Sequence, residues 1–265
     1  MKCGQIISPP NCNASSTATF PKTSELNWAA NAAVAKPPNP SSMKSSEPNR
    51  FRRHRFVWFA DVGNLFDLAA GETPQDDLAS LRKWVGMGRP LIVRRPCVAE
   101  EGNTVCVGLA LPPDPVKRRW AYRLPISFVN KITDPPMWKD CMATIGSVIA
   151  PALKSIQTAA AAAGLPLQTF GSYAWQYHTA LPYVTPSSDS DLLIPIQRRA
   201  NWKKFQQSMA GADIRATRTD LELVLNGDAS FNWREFEAPG ARMLFKGNRS
   251  VWIGDKSTVE ALLHE

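Results

Sequence analysis

From about Arg50 onward the chain alternates short apolar runs with stripes at helical spacing, whereas Met1 to Pro48 sustains no apolar period at all. Val57-Trp58-Phe59, Pro90 to Val93, Thr104 to Leu109 and Trp120 to Leu124 read as strands. Between the first two of these, Leu78, Leu81, Trp84 and Val85 recur as one buried face of a helix. Thr73 stands at its N-cap, Pro74 at its first position, Asp76 and Asp77 near its positive end, and Gly86 and Gly88 close it. Thr133-Asp134-Pro135-Pro136 interrupts both kinds of pattern and marks a boundary. Helical stretches follow over Trp138 to Ile149 and Pro151 to Ala163, stopped by Gly164-Leu165-Pro166. Leu167 to Phe170 is extended, Tyr173 to Tyr177 begins a helix, and Leu192-Leu193-Ile194 has the continuous apolar character of a buried strand. Trp202 to Met209 reads as a short helix. Arg218 to Leu225 and Ala229 to Trp233 form a hairpin around Asn226-Gly227, and Met243 to Phe245 with Val251 to Ile253 form another around Gly247-Asn248. A last helix covers Ser257 to Leu263, with Glu260 completing a capping box on Ser257. Mixed helices and strands in this order predict an α+β protein: a disordered tail over 1–49, a small N-terminal α/β domain over 50–133 and a second domain over 134–265.

Composition narrows the setting. The tail is rich in Pro, Ser, Asn and Ala, fits neither a secretory signal nor a transit peptide, and is either a disordered extension or an upstream start, Met43 being the other candidate first residue. The formal net charge of +8 on 265 residues calls for an acidic partner, whether nucleic acid, polyphosphate ligand or acidic protein. Cys3, Cys12, Cys97, Cys106 and Cys141 are odd in number and show no CxxC spacing, which argues against a disulfide framework or a structural zinc site and fits a reduced cytoplasmic protein. No apolar run is long enough to span a bilayer.

Candidate chemistry concentrates between Phe170 and Ile196. Gly171 and Ser172 lie where a strand turns into a helix, a place that offers free backbone N–H groups to an anion. Asp189 and Asp191, separated by Ser190 and leading into a strand, fall on one face; held side by side, they repel unless a hard cation such as Mg²⁺ takes their oxygens. Asp220 and Glu222 likewise share a face of the Thr219 to Leu225 strand. Guanidinium pairs at Arg94 and Arg95 and the Lys117-Arg118-Arg119 run suit phosphate oxygens. The Arg50 to Arg55 run reads as a solvated entry to the first domain. His54, His178 and His264 lack metal spacing; His178 reads as a packing or surface residue, and Trp175 and Trp233 as core.

A glycine-serine turn followed by Asp-x-Asp on a strand resembles the DNA polymerase β type nucleotidyltransferase superfamily. GSYAWQYHTALPYVTPSSDSDLL, together with WREF at Trp233 to Phe236, RHRFVWF near Arg53 and RPLIVRR at Arg89, more narrowly resembles the malonate decarboxylase holo-acyl-carrier-protein synthases, the phosphoribosyl-dephospho-CoA transferases. The resemblance runs from roughly Arg50 to the C-terminus. It implies a nucleotidyltransferase fold for the second domain and transfer of 2′-(5″-phosphoribosyl)-3′-dephospho-CoA from triphosphoribosyl-dephospho-CoA to a serine of the apo acyl carrier protein of malonate decarboxylase, with loss of pyrophosphate. It further implies Asp189, Asp191 and Asp220 as catalytic and Mg²⁺-binding residues, and Gly171, Ser172, Gln176, Arg94 and Arg95 as substrate-binding ones. Asp220 is preferred to Glu222 as third carboxylate because it lies nearer the start of its strand; Glu222 would then anchor a basic side chain such as Arg234. Transfer to a nucleic acid or a small-molecule acceptor is the alternative, with nucleic acid the less favoured partner, and a non-catalytic binding module on the same fold is the third reading.

Overall fold

The computed structural model describes residues 50–60, 75–95, 103–113, 118–145, 151–212, 214 and 218–265. The tail, the Thr73-Pro74 cap, Cys97 and Lys117 therefore lie outside the described residues.

Two sheets account for the strands. The first is built from β1 (Phe56–Phe59), β2 (Leu91–Val93), β3 (Thr104–Ala110), β4 (Arg119–Pro125) and β5 (Val129–Thr133), in the order β4-β3-β2-β1-β5, with antiparallel neighbours throughout. Its first helix, α1 (Gln75–Gly86), buries Leu78, Leu81, Trp84 and Val85 as its periodicity demands, each contributing about 1.5–3 kcal/mol of apolar burial. Gly88 closes it with a φ of +69° that a glycine adopts without strain. β5 was not legible in the pattern: VNKIT carries no fully buried residue, so burial imposes no alternation on it.

The C-terminal sheet is mixed. α2 (Trp138–Ile145) and α3 (Pro151–Ala162) precede β6 (Gln168–Thr169), which leads into α4 (Gly171–Thr179). β7 (Ser190–Ile196) is followed by α5 (Arg199–Met209), β8 (Thr219–Leu225), β9 (Ala229–Asn232), α6 (Trp233–Glu237), β10 (Arg242–Lys246), β11 (Val251–Asp255) and α7 (Thr258–Ala261). Strand order is β11-β10-β9-β8-β7-β6, and β7 runs parallel to β8, a pairing that needs the crossover helix α5. The two faces of this sheet differ in kind. Leu192, Ile194, Ile196, Leu221, Leu223, Leu225 and Phe231 turn to one core with Ile156, Trp202 and Phe205. Their alternates Asp191, Asp220, Glu222, Ser230 and Asn232 occupy the other face.

Helix α4 joins the two halves. Its Tyr173 packs into the C-terminal core edge-on to Trp138, while Ala174 and Trp175 belong to the N-terminal core. The described residues thus form a mixed α and β architecture in which α4 is shared. The capping box expected at Ser257 does not form: Ser257 is itself in helical conformation (φ −60°, ψ −21°), and its side chain makes no cap hydrogen bond. No helix among the described residues is long and apolar enough to cross a membrane.

Candidate active site

The glycine-serine turn and the Asp-x-Asp strand form one clamped unit. Phe170, extended at the N-cap of α4, donates its N–H to the Asp191 carbonyl at 3.0 Å, and the Thr169 hydroxyl donates to the same oxygen at 2.6 Å. Gly171 follows with φ +61°, and a Cβ built on it would lie 1.7 Å from the Asp191 Oδ2. Glycine is required twice over, by the left-handed backbone and by the carboxylate lying against it.

Asp191 is the register partner of Asp220 across the parallel β7–β8 pair, and Asp220 accepts a hydrogen bond from the Asn232 side-chain amide. Asp189 lies just before β7, half exposed, where Arg218 Nε donates to it at 2.9 Å. Among the described residues no three His, Cys, Asp or Glu side chains close into a ready-made metal cage. The donor set is two carboxylates on adjacent strands with a third at the strand entrance. Such a set fits Mg²⁺ delivered with a polyphosphate, since this ion is commonly held by one or two carboxylates plus substrate phosphates.

A cavity of about 610 Å³ opens in front of this unit. Gly171, Ser172, Asp189 and Asp191 line it from the C-terminal side, and Arg94 and Arg119 from the N-terminal sheet. Arg95 does not line the cavity; its Nε donates to the Gly247 carbonyl at 3.1 Å. Gln176 is turned to structural use, its Oε1 accepting the N–H groups of Tyr183 and Val184 at 3.0 and 2.8 Å.

Glu222, two residues beyond Asp220, is 3% exposed and holds a cluster of basic groups. Arg53 Nη1 lies 3.2 Å from its carboxylate, His54 Nε2 3.4 Å and Lys246 Nζ 3.7 Å, and Ser230 Oγ donates to it at 2.6 Å. Burial alone would raise the Glu222 carboxyl, but the hydrogen bonds and charges of His54, Arg53 and Ser230 outweigh it and hold the group below its ordinary value. His54 is lowered, chiefly by burial and against the pull of Glu222, and it has a left-handed φ of +70° and its ring 4.2 Å from that of Phe170. The basic run at Arg53 and His54 is therefore not the solvated entry expected of it: a buried glutamate in an apolar strand needs cations, and these supply them. Arg234, the expected partner of Glu222, instead donates to the Thr219 carbonyl at 2.8 Å. The signal lay in TDLELVL, where an acid at an inward position requires a cation from elsewhere in the chain.

His178, Trp175 and Trp233 are packing residues, as expected. His178 packs tilted against Phe56 and edge-on to Trp58, and burial, aided by Lys131, lowers it to about 4 from 6.5. As pH falls below 6.5 the unfolded chain takes up a proton that the folded His178 refuses until about pH 4. Stability should therefore decline across that window, with buried His54 adding in the same direction. Urea midpoints at pH 7 and pH 4.5 should differ less in His178→Phe than in the parent; an unchanged difference would refute the assignment.

The family model described as the phosphoribosyl-dephospho-CoA transferase MdcG N-terminal domain matches residues 52–135, and that of the MdcG C-terminal domain matches residues 137–256. The phosphoribosyl-dephospho-CoA transferase of Xanthomonas euvesicatoria pv. vesicatoria (strain 85-10) is 31% identical over 201 residues, covering 74% of this chain and 91% of that protein. The protein of the same name from Bradyrhizobium diazoefficiens is 31% identical over 208 residues, covering 77% and 90%. That from Xanthomonas campestris pv. campestris (strain 8004) is 32% identical over 211 residues, covering 74% and 90%. No solved structure matches the chain. With both family domains matched in order and relatives covered over nine-tenths of their length, the chain belongs to the phosphoribosyl-dephospho-CoA transferase MdcG family.

Proposed function

We propose that this protein is a cytoplasmic transferase of the nucleotidyltransferase type, which moves 2′-(5″-phosphoribosyl)-3′-dephospho-CoA from its triphosphate precursor to a serine of the apo acyl carrier protein of malonate decarboxylase. The observation that carries the reading is the clamp of Gly171 onto Asp191, with Asp220 in register beside it. In the reaction the serine oxygen bonds to the α-phosphorus, the bond from that phosphorus to the bridging oxygen breaks, and pyrophosphate leaves with the electron pair. The serine proton passes to a carboxylate, a role we assign to Asp220, the register partner of Asp191, which accepts from the Asn232 amide. Gly171 and Ser172 at the start of α4 present N–H groups and a hydroxyl to the departing phosphates. Arg94, on the facing wall of the cavity, offers a cation to the other phosphates of the substrate. A Mg²⁺ ion held by Asp191 with Asp189 and Asp220 would neutralise charge building on the triphosphate oxygens. The net charge of +8 favours encounter with an acidic carrier.

The test is to incubate the protein with Mg²⁺, triphosphoribosyl-dephospho-CoA and candidate apo carrier proteins, and to weigh the carriers. A mass gain on the malonate decarboxylase carrier is expected. Label appearing on oligonucleotide or small-molecule acceptors instead would replace this reading by the broader nucleotidyltransferase one. Asp189→Asn should lose the mass gain without a change in unfolding midpoint, because its partner Arg218 is exposed; a fully active variant would remove Asp189 from the site.

A further inference from the structure

The wall opposite the glycine-serine turn has a pattern that phosphate chemistry does not require. Cross-strand partners share a face of the N-terminal sheet, and the register places Phe56, Ile92, Gly108 and Ala121 in one row, with Ala110 and Arg119 in the next. Over β1 this face is filled: Phe56 and Trp58 meet Trp175 and His178 of α4. Over β3 and β4 the same face carries small side chains at Gly108, Ala110 and Ala121, with Arg119 in the row on one side and Cys106 and Arg123 in the row on the other, and the helix and sheet stand apart around the 610 Å³ cavity. Trp175 and Tyr183, stacked 5.7 Å apart at 21°, border it, and the Tyr183 hydroxyl is tied to the Ala110 carbonyl at 2.6 Å. Arg94 and Arg119 lie on its sheet side. A flat floor of small residues with an aromatic border and two guanidiniums matches a planar base attached to a diphosphate.

We propose that this slot binds the dephospho-CoA part of the substrate, with adenine laid on Gly108, Ala110 and Ala121 and the 5′-diphosphate held by Arg94 and Arg119, so that the N-terminal sheet sets which triphosphate the C-terminal machinery accepts. The proposal rests on the transfer reading above for the identity of the ligand. It gives the small residues at 108, 110 and 121 a role in specificity, and it separates recognition of the nucleotide from the grip on the departing phosphates at Gly171 and Ser172.

Calorimetric titration of the full chain with 3′-dephospho-CoA, without metal, tests it. Ala121 is exposed, so Ala121→Leu intrudes on the slot without touching the core. It should bind dephospho-CoA about tenfold more weakly, a typical consequence of overpacking, while inorganic tripolyphosphate binding and the unfolding midpoint stay unchanged. Arg119→Ala, also at an exposed position, should weaken dephospho-CoA by a similar factor and serves as the second probe. No affinity of the parent protein for dephospho-CoA, or an affinity in both variants equal to the parent's, overturns the slot. If that happens while the parent still adds mass to the carrier, the transfer reading survives alone. If the slot behaves as stated but no carrier gains mass, the nucleotide site stands and the transfer reading falls.

Discussion

Gly171→Ala is expected to lower carrier modification by about 10²-fold or more while the protein remains folded, since misplacing a reacting group by about 1 Å costs that much. The added methyl would fall 1.7 Å from the Asp191 Oδ2 and 2.8 Å from its Cγ, so one of the two must move. The backbone cannot yield easily, because Phe170 N–H and the Thr169 hydroxyl both hold the Asp191 carbonyl and tie the turn to the strand. The carboxylate therefore moves, and with it the group proposed to face the triphosphate. A φ of +61° adds about 1–2 kcal/mol of strain for alanine, which a domain of this size tolerates. Ser172→Ala, which leaves the backbone N–H groups in place, should cost less. Equal activity in Gly171→Ala and the parent, measured as carrier mass gain per minute, would mean that Asp191 plays no part in the transfer.

The strands and helices that bury one clear face were legible in the sequence. Leu78, Leu81, Trp84 and Val85 declared α1, and the apolar run after Asp191 declared β7, because burial forces the period. The pairing of acids was legible as well: Asp191 leads into an apolar run and Asp220 stands early in the next predicted strand, and the two do lie in register. What escaped was set by long-range partners. Nothing local shows that Arg53 and His54 reach across to Glu222, nor that the Gln176 side-chain oxygen holds the loop at Tyr183. The small-residue floor at Gly108, Ala110 and Ala121 was hidden too, since its meaning lies in α4 standing over it, a contact some sixty residues away in the chain. β5 and the missing Ser257 cap belong to the same class, because weak local preference there yields to neighbours.

Asp220→Asn and Glu222→Gln should fail in opposite ways, although the two acids are two residues apart on one strand face. In Asp220→Asn the Asn232 amide still meets a carbonyl oxygen, so the fold keeps its hydrogen bond. Only the charge and the proton acceptor are lost, and transfer should fall below detection with the unfolding midpoint within a degree or two of the parent. Glu222→Gln leaves Arg53 and Lys246 around a buried neutral amide and should cost about 3 kcal/mol, the scale of breaking a buried ion pair, which lowers the midpoint by roughly 10 °C. Transfer per folded molecule should survive at low temperature, slowed only by loosened packing of His54 on Phe170. The pH dependence separates the two further. A carboxyl held below its ordinary value of 4.5 contributes stability that is complete above that pH and is lost as pH falls through the lower folded value, so the gap between parent and Glu222→Gln should close only in strong acid. Midpoints measured from pH 7 downward, beside initial rates of carrier modification, decide the matter. A stable but inactive Glu222→Gln would move the third carboxylate from Asp220 to Glu222 and make the basic cluster part of the reaction itself.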